Sequence, residues 1–267
     1  MAFRGASADA VAALSGELET MDPRGSADVA GDLFTVADTL RAEGALRRFA
    51  TDASLPSEAK SGLVGEVFGG KVDEATLTVL RSAVTRRWTV GRDLPDALEH
   101  LGVVAVVRSV GTDTGRLADE LFAFAQAVKE NPELRDALAD PVRSPSDKRV
   151  LLDSLLGGRA LPATITLAGQ SLAGSHRTVT AALTEYQKVV ASVQSQGVAT
   201  VRVARPLPDA EVRRLGSALE AQYGHPVHIN LLIDPSVIGG IRVEIGDDVI
   251  DGTVSSRLDD ARRRLVG

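Results

Sequence analysis

The hydrophobic residues of this chain follow two different periodicities, one after the other. Through most of the sequence they recur every three or four positions, as at Phe34, Ala37 and Leu40, which is the spacing of an amphipathic helix. In the last quarter they alternate with polar residues, as at Ala199 and Val201, which is the spacing of a half-buried strand. The pattern therefore predicts a long helical part followed by a short part that contains strands.

The helical part repeats itself. An offset of 88 residues places Asp32–Phe34 on Glu120–Phe122 and Gly69-Gly70 on Gly157-Gly158, with no gap between them. Similar composition of two Ala- and Leu-rich stretches is the alternative, but it does not account for glycine pairs that stay in register. Self-similarity at a fixed offset indicates a duplicated unit, and each glycine pair is expected to end a helix.

The last quarter is predicted to run strand, helix, strand, strand, helix. After a first strand near Ala199, one apolar face from Val212 to Tyr223 indicates a helix. Strands are expected at Val227–Ile233 and Ile241–Ile245, followed by a short strand near Asp248. The closing helix is expected to place Val254, Leu258, Ala261 and Leu265 on one face.

The predicted fold class is α+β, mostly α, with two related helical bundles followed by a small α/β domain. The expected domains are residues 1–110, 111–196 and 197–267. Only 3% of the residues are aromatic, so the core must consist mainly of Ala, Val, Leu and Ile. Such residues suit helix bundles, because small side chains let helices approach closely.

Charge and composition exclude several classes of partner. The formal net charge is −6, which argues against nucleic-acid binding, since that requires a basic face to neutralise phosphates. The chain has no cysteine, so a disulfide framework and a thiolate metal site are excluded. No apolar stretch is long enough to span a bilayer, and Met1–Glu19 lacks the pattern of a secretory signal. We therefore expect no direct membrane insertion.

Motifs that carry chemistry are weak in this chain. Gly65–Lys71 resembles a phosphate-binding loop, but Val72 stands where Ser or Thr must hold magnesium, and a helix precedes the loop. His225 and His228 are close in sequence, but on a strand they point to opposite faces. Trp88 is either an interface anchor or a partly buried core residue. We expect no catalytic residue, no metal site and no cofactor.

The residues Ile233–Val243 and Gly246–Val254 resemble the C-terminal signature of the delta subunit of F-type ATP synthases. The mitochondrial equivalent is called the oligomycin-sensitivity-conferring protein. The duplicated bundle is similar to the longer delta chains of high-GC Gram-positive bacteria. The resemblance implies a structural role, in turns between strands, for the signature residues Asp234, Ile238, Gly239, Gly240, Gly246, Asp251 and Gly252.

The resemblance implies a connector that is not itself an enzyme. Family members belong to the peripheral stalk, where they link the catalytic head to the b subunits and resist rotor torque during proton-driven ATP synthesis. The helical bundle binds the N-terminal helices of alpha subunits, and the C-terminal domain binds b subunits. The expected location is peripheral, at the cytoplasmic face of the cell membrane. The alternative is a helical-repeat adaptor unrelated to ATP synthase; an enzyme has less support, because no acid, base and nucleophile converge.

In the family an amphipathic alpha-subunit helix packs against the first and fifth helices of the bundle. By resemblance these are expected here at Ser7–Met21 and Leu94–Val107. Both stretches carry an apolar stripe of the kind that binds a helix in a groove. Both stripes could equally be core, and the second copy, at Glu120–Val128 and Val179–Val190, is the other candidate. The expected contact residues are Val11, Leu14, Leu18, Leu94, Leu98 and Leu101.

Overall fold

The structure, a computed structural model, describes residues 3–21, 25–193, 197–223, 227–235, 237, 239–245 and 248–252. The predicted closing helix and the signature residues Ile238 and Gly246 lie outside the described residues. By its internal contacts the chain divides into two compact units, Met1–Val190 and Ala191–Gly267, and each is described by itself. The mostly helical α+β fold class is confirmed.

The first unit is built from helices joined by short turns. They are α1 (Ala6–Glu19), α2 (Ser26–Ala42), α3 (Gly44–Thr51), α4 (Ser57–Phe68), α5 (Glu74–Thr85), α6 (Asp93–Ser109), α7 (Thr114–Glu130), α8 (Pro132–Ala139), α9 (Pro145–Leu156), α10 (Pro162–Ala173) and α11 (Val179–Val193).

The duplication predicted from the sequence is confirmed by the helix bounds. Helices α2, α3, α4 and α5 begin and end 88 residues before α7, α8, α9 and α10, respectively, without a shift at any end. The glycine pairs also match, because Gly70 has φ of 70° and Gly158 has φ of 68°. Both glycines adopt the left-handed conformation that ends a helix, as expected. We call residues 6–109, which include α1, the first copy and residues 114–193 the second copy.

A shared hydrogen-bond motif fixes the start of the corresponding helices α5 and α10. The Asp32 carboxylate accepts from the Asp73 N–H at 2.7 Å and from the Thr76 hydroxyl at 3.1 Å. In the second copy the Glu120 carboxylate accepts from the Leu161 N–H at 2.7 Å, and also from the hydroxyl at the position matching Thr76. The carboxylate from α2 thus holds the first turn of α5, and the carboxylate from α7 holds the first turn of α10.

Helix α6 belongs to both copies. The 88-residue offset places α1 on residues 94–107, which lie inside α6. Helix α6 is therefore the last helix of the first copy and stands where the first helix of the second copy would be. It is apolar on all sides from Leu101 to Val107, and twelve of its residues are buried, which is the pattern of a helix surrounded by protein.

The two copies share one hydrophobic core. A single cluster of buried residues extends from Leu14 in α1, through Leu98 in α6, to Val190 in α11. The expected boundary between residues 110 and 111 therefore separates two sequence repeats but does not separate two cores. At its centre Gly102 lets α2 and α6 approach, because a Cβ at this glycine would lie 2.5 Å from Cε1 of Phe34.

In its described residues the second unit is a four-stranded sheet covered by one helix. Its strands are β1 (Gly197–Val203), β2 (Val227–Ile233), β3 (Ile241–Ile245) and β4 (Asp248–Asp251), and α12 (Asp209–Tyr223) connects β1 to β2. The strand order is β2-β1-β3-β4. β1 is parallel to β2 and antiparallel to β3, and β4 is antiparallel to β3. The predicted bounds of β2 and β3 are confirmed.

One face of this sheet forms the second core. Val201 lies opposite Leu231 on one side and Val243 on the other, so the three side chains share a face. Leu215 and Leu219 of α12 pack on the same cluster. The alternation that predicted strands therefore also marks the face on which α12 lies.

The shared core gives a testable prediction about the first copy. A fragment of residues 1–110 is expected to fold, because it contains α1–α6 complete. It should unfold at a lower temperature than residues 1–190, since α6 loses its cover from α7 and α10. Circular dichroism with thermal melts of both fragments provides the measurement. A disordered 1–110 fragment would show that the copies fold only together.

Candidate partner-binding surfaces

The six residues expected to contact the alpha subunit lie in the core. Val11 is 8% exposed, Leu14 is 0% and Leu18 is 2%, and the three leucines of α6 are 0% exposed. The two stripes face each other and their neighbours, because α1 packs against α6. Of the two interpretations left open by the pattern, burial supports core. The helix count is also corrected: Leu94, Leu98 and Leu101 lie in the sixth helix, and the fifth is α5.

The first and fifth helices pack side by side and leave an outer face exposed. On α1 this face contains Ala12 and Gly16, and on α5 it contains Thr78, Arg81 and Thr85. The side chains are small or flexible, so a helix laid across them could approach both backbones closely. We call this surface the α1–α5 face.

Polar contacts hold α1 in place along its whole length. The Glu17 carboxylate accepts from the Ser82 hydroxyl of α5 at 2.8 Å and forms an ion pair with Arg86. At the other end the Ser7 hydroxyl donates to Asp93 and accepts from the Thr89 N–H at 2.8 Å. The α1–α5 face is therefore part of a fixed scaffold.

The corresponding face of the second copy is closed. It would consist of α6 and α10, but α6 is buried and α2 packs on α10. Between α2, α9 and α10 there remains a cleft of about 310 Å³, lined by Phe34, Leu152 and Gln170, among others. Gln170 takes the place of Ser82, yet its buried Nε2 has no hydrogen-bond partner. In the first copy Ser82 donates to Glu17. In the second copy the residue that corresponds to Glu17 is Ala105, whose side chain has no acceptor.

Glu99 is the centre of a buried polar network that joins the copies. Its carboxylate, 2% exposed, pairs with Arg41 of α2. It also accepts from the Tyr186 hydroxyl of α11 at 3.0 Å and from the Ser175 N–H at 3.0 Å. Arg41 pairs in addition with Asp96 at 3.2 Å. Three separate segments thus satisfy one charge on the central helix.

Burial and neighbouring charges shift the pKa values of two groups in this network. Burial raises the pKa of the Asp96 carboxyl, although Arg41 acts in the opposite direction. Burial and the Glu99 carboxylate raise the pKa of the Tyr186 hydroxyl, so it remains protonated and donates its hydrogen bond. The cavity beside Glu99, Tyr186 and His100 has about 20 Å³, which is room for about one water and too small for a substrate.

The signature residues of the second unit act through the backbone. The Asp234 N–H donates to the Val203 carbonyl at 2.8 Å and extends the pairing of β1 and β2. Gly239 has φ of 65° and Gly240 has φ of 79°, so both adopt the left-handed conformation between β2 and β3. The Gly252 N–H donates to the Ile241 carbonyl at 2.9 Å, beside Asp251, which lies opposite Arg242.

Other sequence features also have structural explanations. The loop-like Gly65–Lys71 segment is the end of α4, with Gly70 in the left-handed region. Trp88 is partly buried against the core and donates from its indole N–H to the Ala83 carbonyl at 3.0 Å, which supports the core interpretation. His225 and the side chain of His228 lie outside the described residues.

The described residues offer no candidate metal site and no candidate membrane-spanning helix. They contain no group of three or more His, Asp or Glu side chains placed to hold a metal ion. Within the same residues, no helix combines the length and apolar character required to cross a bilayer.

The fold defines a class: two helical repeats with a common central helix, joined to a small α/β unit. The family model described as ATP synthase delta (OSCP) subunit matches residues 105–265. The chain therefore belongs to the ATP synthase delta (OSCP) subunit family, and the resemblance seen in the sequence is confirmed.

Individual relatives extend this match to the whole chain. A protein from Nocardioides sp. named ATP synthase subunit delta is 57% identical, over 99% of this chain and 98% of its own. A protein of the same name from Kineococcus radiotolerans is 45% identical, over 88% and 87%. One from Streptomyces avermitilis is 38% identical, over 100% of both chains. The match to these relatives thus includes both copies of the helical repeat.

The Glu99 network was missed by sequence reasoning. One signal was present, because Glu99 is the only acidic residue in the stretch Leu98–Val107, where apolar residues predominate. A buried charge must be paired, so that residue could have been flagged. Its partners could not have been found, since Arg41, Ser175 and Tyr186 lie far away in sequence.

The burial of α1 predicts different outcomes for two aspartate substitutions. Leu14→Asp should cost more than about 3 kcal/mol, because it removes a buried leucine and buries a carboxylate. Ala12→Asp, two residues earlier on the exposed side, should change stability by less than about 0.5 kcal/mol. Chemical denaturation of the full chain measures both. A folded Leu14→Asp protein that only loses a partner would restore the stripe as a contact surface.

The turn glycines give a second matched pair. Gly240→Ala should cost about 1–2 kcal/mol, because an L side chain disfavours the left-handed region. Gly216→Ala in α12 should be neutral or stabilising by up to about 1 kcal/mol, because a helical glycine is replaced and its Cβ would lie 3.6 Å from Ile229. Equal denaturation midpoints for the two variants would contradict the assignment.

Proposed function

We propose that this chain is a non-catalytic connector in the peripheral stalk of a bacterial F-type ATP synthase. It links the catalytic head to the b subunits and resists rotor torque while proton flow drives ATP synthesis. Membership of the delta family over the whole chain is the observation that carries the proposal. The chain acts by binding proteins, peripherally and at the cytoplasmic face of the membrane, and catalyses no reaction itself.

The shared core suits a connector that must transmit force. Helix α6 packs against α1 and α2 of the first copy and against α7 and α10 of the second. The copies therefore cannot move apart without exposing the apolar side chains of α6. Close-packed interiors deform little under load. The Glu99 network adds a polar tie at the same place, because separating the copies would leave a buried charge without partners.

The alpha subunit is proposed to bind the α1–α5 face of the first copy. An amphipathic helix can lie across Ala12, Gly16 and Thr78 without moving any helix of the chain. In the second copy the residues of α6 that correspond to Ala12 and Gly16 are His100, which is half-buried, and Val104, which is 7% exposed. The open face supports the first copy over the second.

The b subunits are proposed to bind the second unit. Among the described residues of its sheet, three large apolar side chains are exposed, and all three lie on the edge strands β2 and β4. Ile233 at the end of β2 is 57% exposed, and Val249 and Ile250 of β4 are 54% and 38% exposed. Exposed apolar groups at a sheet edge are typical of interaction sites. An adaptor unrelated to ATP synthase is disfavoured by the family match.

Purification from native membranes tests the proposal. A tagged chain is expected to recover alpha, beta and b subunits from a detergent extract and to show no ATP hydrolysis when isolated. Recovery of none of these subunits would contradict the proposed function. ATP turnover by the isolated chain, abolished by Lys71→Ala, would do the same.

A matched pair of variants tests the binding face. Thr78 and Thr166 occupy the same position in α5 and α10, are both exposed, and donate to the carbonyl four residues earlier at 2.9 and 3.0 Å. Thr78→Arg should weaken alpha recovery by about tenfold or more, because it introduces a bulky charge at the interface. Thr166→Arg should leave recovery unchanged. The opposite result would move the site to the second copy.

A further inference from the structure

The second copy contains a cleft that is much larger than the matching cavity of the first. It has about 330 Å³ and lies between the end of α7, helices α8 and α9, and the turn from α10 to α11. We call it the α8–α11 cleft. Its apolar walls include Val128, Leu138 and Leu172. The matching residues of the first copy, Leu40, Ala50 and Val84, line a cavity of about 10 Å³.

A single exchange accounts for much of this difference. Trp88 of the first copy lies partly buried against the core, with its indole N–H on the Ala83 carbonyl. The residue 88 positions later is His176, which lines the cleft and stacks edge-on against Tyr186 at 5.9 Å between ring centroids. The smaller imidazole leaves open the volume that the indole occupies.

The cleft carries a concentration of positive charge. Arg135, Lys148 and Arg177 line it together with His176, and Asp136 is the one acidic residue of the lining. Arg135 pairs with Asp136 only loosely, at 3.8 Å. Within the described residues, the side chains of Lys148 and Arg177 make no ion pair or hydrogen bond. This chain, whose net charge is −6, thus gathers positive side chains in one cleft.

The same positions have structural tasks in the first copy. Arg47, which corresponds to Arg135, donates to the carbonyls of Leu40 and Arg41 at 2.8 and 3.0 Å and so completes the end of α2. Lys60, which corresponds to Lys148, is 4% exposed. In the second copy the corresponding cations, Arg135 and Lys148, line an open cleft and do not have these capping and packing roles.

We propose that the α8–α11 cleft binds a phosphate group, carried either by a small molecule or by a lipid headgroup. Arginine and lysine bind phosphate oxygens through charge-assisted hydrogen bonds. The first turn of α11 forms one wall and contributes partial charge of the same sign. The volume is within the range of small-ligand sites, and the apolar walls can accept the rest of the ligand. This site is independent of the proposed stalk function.

Calorimetric titration of the full chain with inorganic pyrophosphate, without magnesium and at low ionic strength, tests the site. One pyrophosphate should bind per chain, and binding should weaken as salt is added. The double variant Lys148→Gln/Arg177→Gln should lower the affinity at least about tenfold. Arg48→Gln/Arg87→Gln removes two exposed charges from the first copy and should have no effect. Equal losses in both double variants would overturn the proposal.

A second variant closes the cleft without changing its cations. His176→Trp introduces the residue of the first copy and should abolish pyrophosphate binding while leaving the melting temperature the same or higher. Unchanged affinity in a folded His176→Trp protein would overturn the proposal. If this variant does not fold, the double charge variant decides the question alone.

Two further probes identify the source of the phosphate. Sedimentation with phosphatidylglycerol vesicles, compared with phosphatidylcholine vesicles, tests the lipid headgroup. Pyrophosphate binding without vesicle binding supports a free phosphate compound, and vesicle binding lost in Lys148→Gln/Arg177→Gln supports the headgroup. Binding of a poly-glutamate peptide without either phosphate probe would overturn the proposal in favour of an acidic protein segment, and so would no binding of any probe.

Discussion

Helix α6 is apolar around its whole circumference from Leu101 to Val107, so this stretch is stable only where protein surrounds it. The first copy covers one side with α1 and α2, and the second copy covers another with α7 and α10. This requirement explains why the duplicated sequence forms one core. Glu99 is a buried charge on the central helix, and it is tolerated because Arg41, Tyr186 and the Ser175 N–H satisfy it from three directions.

Sharing one helix makes the two copies unequal. The first copy has α1 in addition, so its α1–α5 face is open to a partner. The second copy uses α6 in place of a first helix and has α2 packed over the corresponding face. Ala105 stands where the first copy has Glu17, and Nε2 of Gln170 has no hydrogen-bond partner among the described residues. It gains a different opening where His176 replaces the bulk of Trp88. One duplicated sequence thus presents two different surfaces.

The second unit depends on backbone geometry more than on side-chain chemistry. Gly239 and Gly240 take positive φ angles between β2 and β3, and the Asp234 N–H extends the pairing of β1 with β2. These contacts bring β3 antiparallel beside β1 while β2 stays parallel on the other side. The described residues of the family signature therefore fix the turn and the pairing between strands of this sheet.

Local patterns were sufficient for the elements of this protein. Helical periodicity and the glycine pairs predicted the helices, and period-two alternation located β2 and β3, because these features depend on neighbours in sequence. The 88-residue offset predicted the duplication, because it compares the sequence with itself. Tertiary structure decided what covers each apolar face. The stripes containing Leu14 and Leu98 are core, α6 is shared, and Glu99 is paired. An apolar stripe shows only that something must cover it, and whether that is another helix of the chain or a partner depends on contacts distant in sequence.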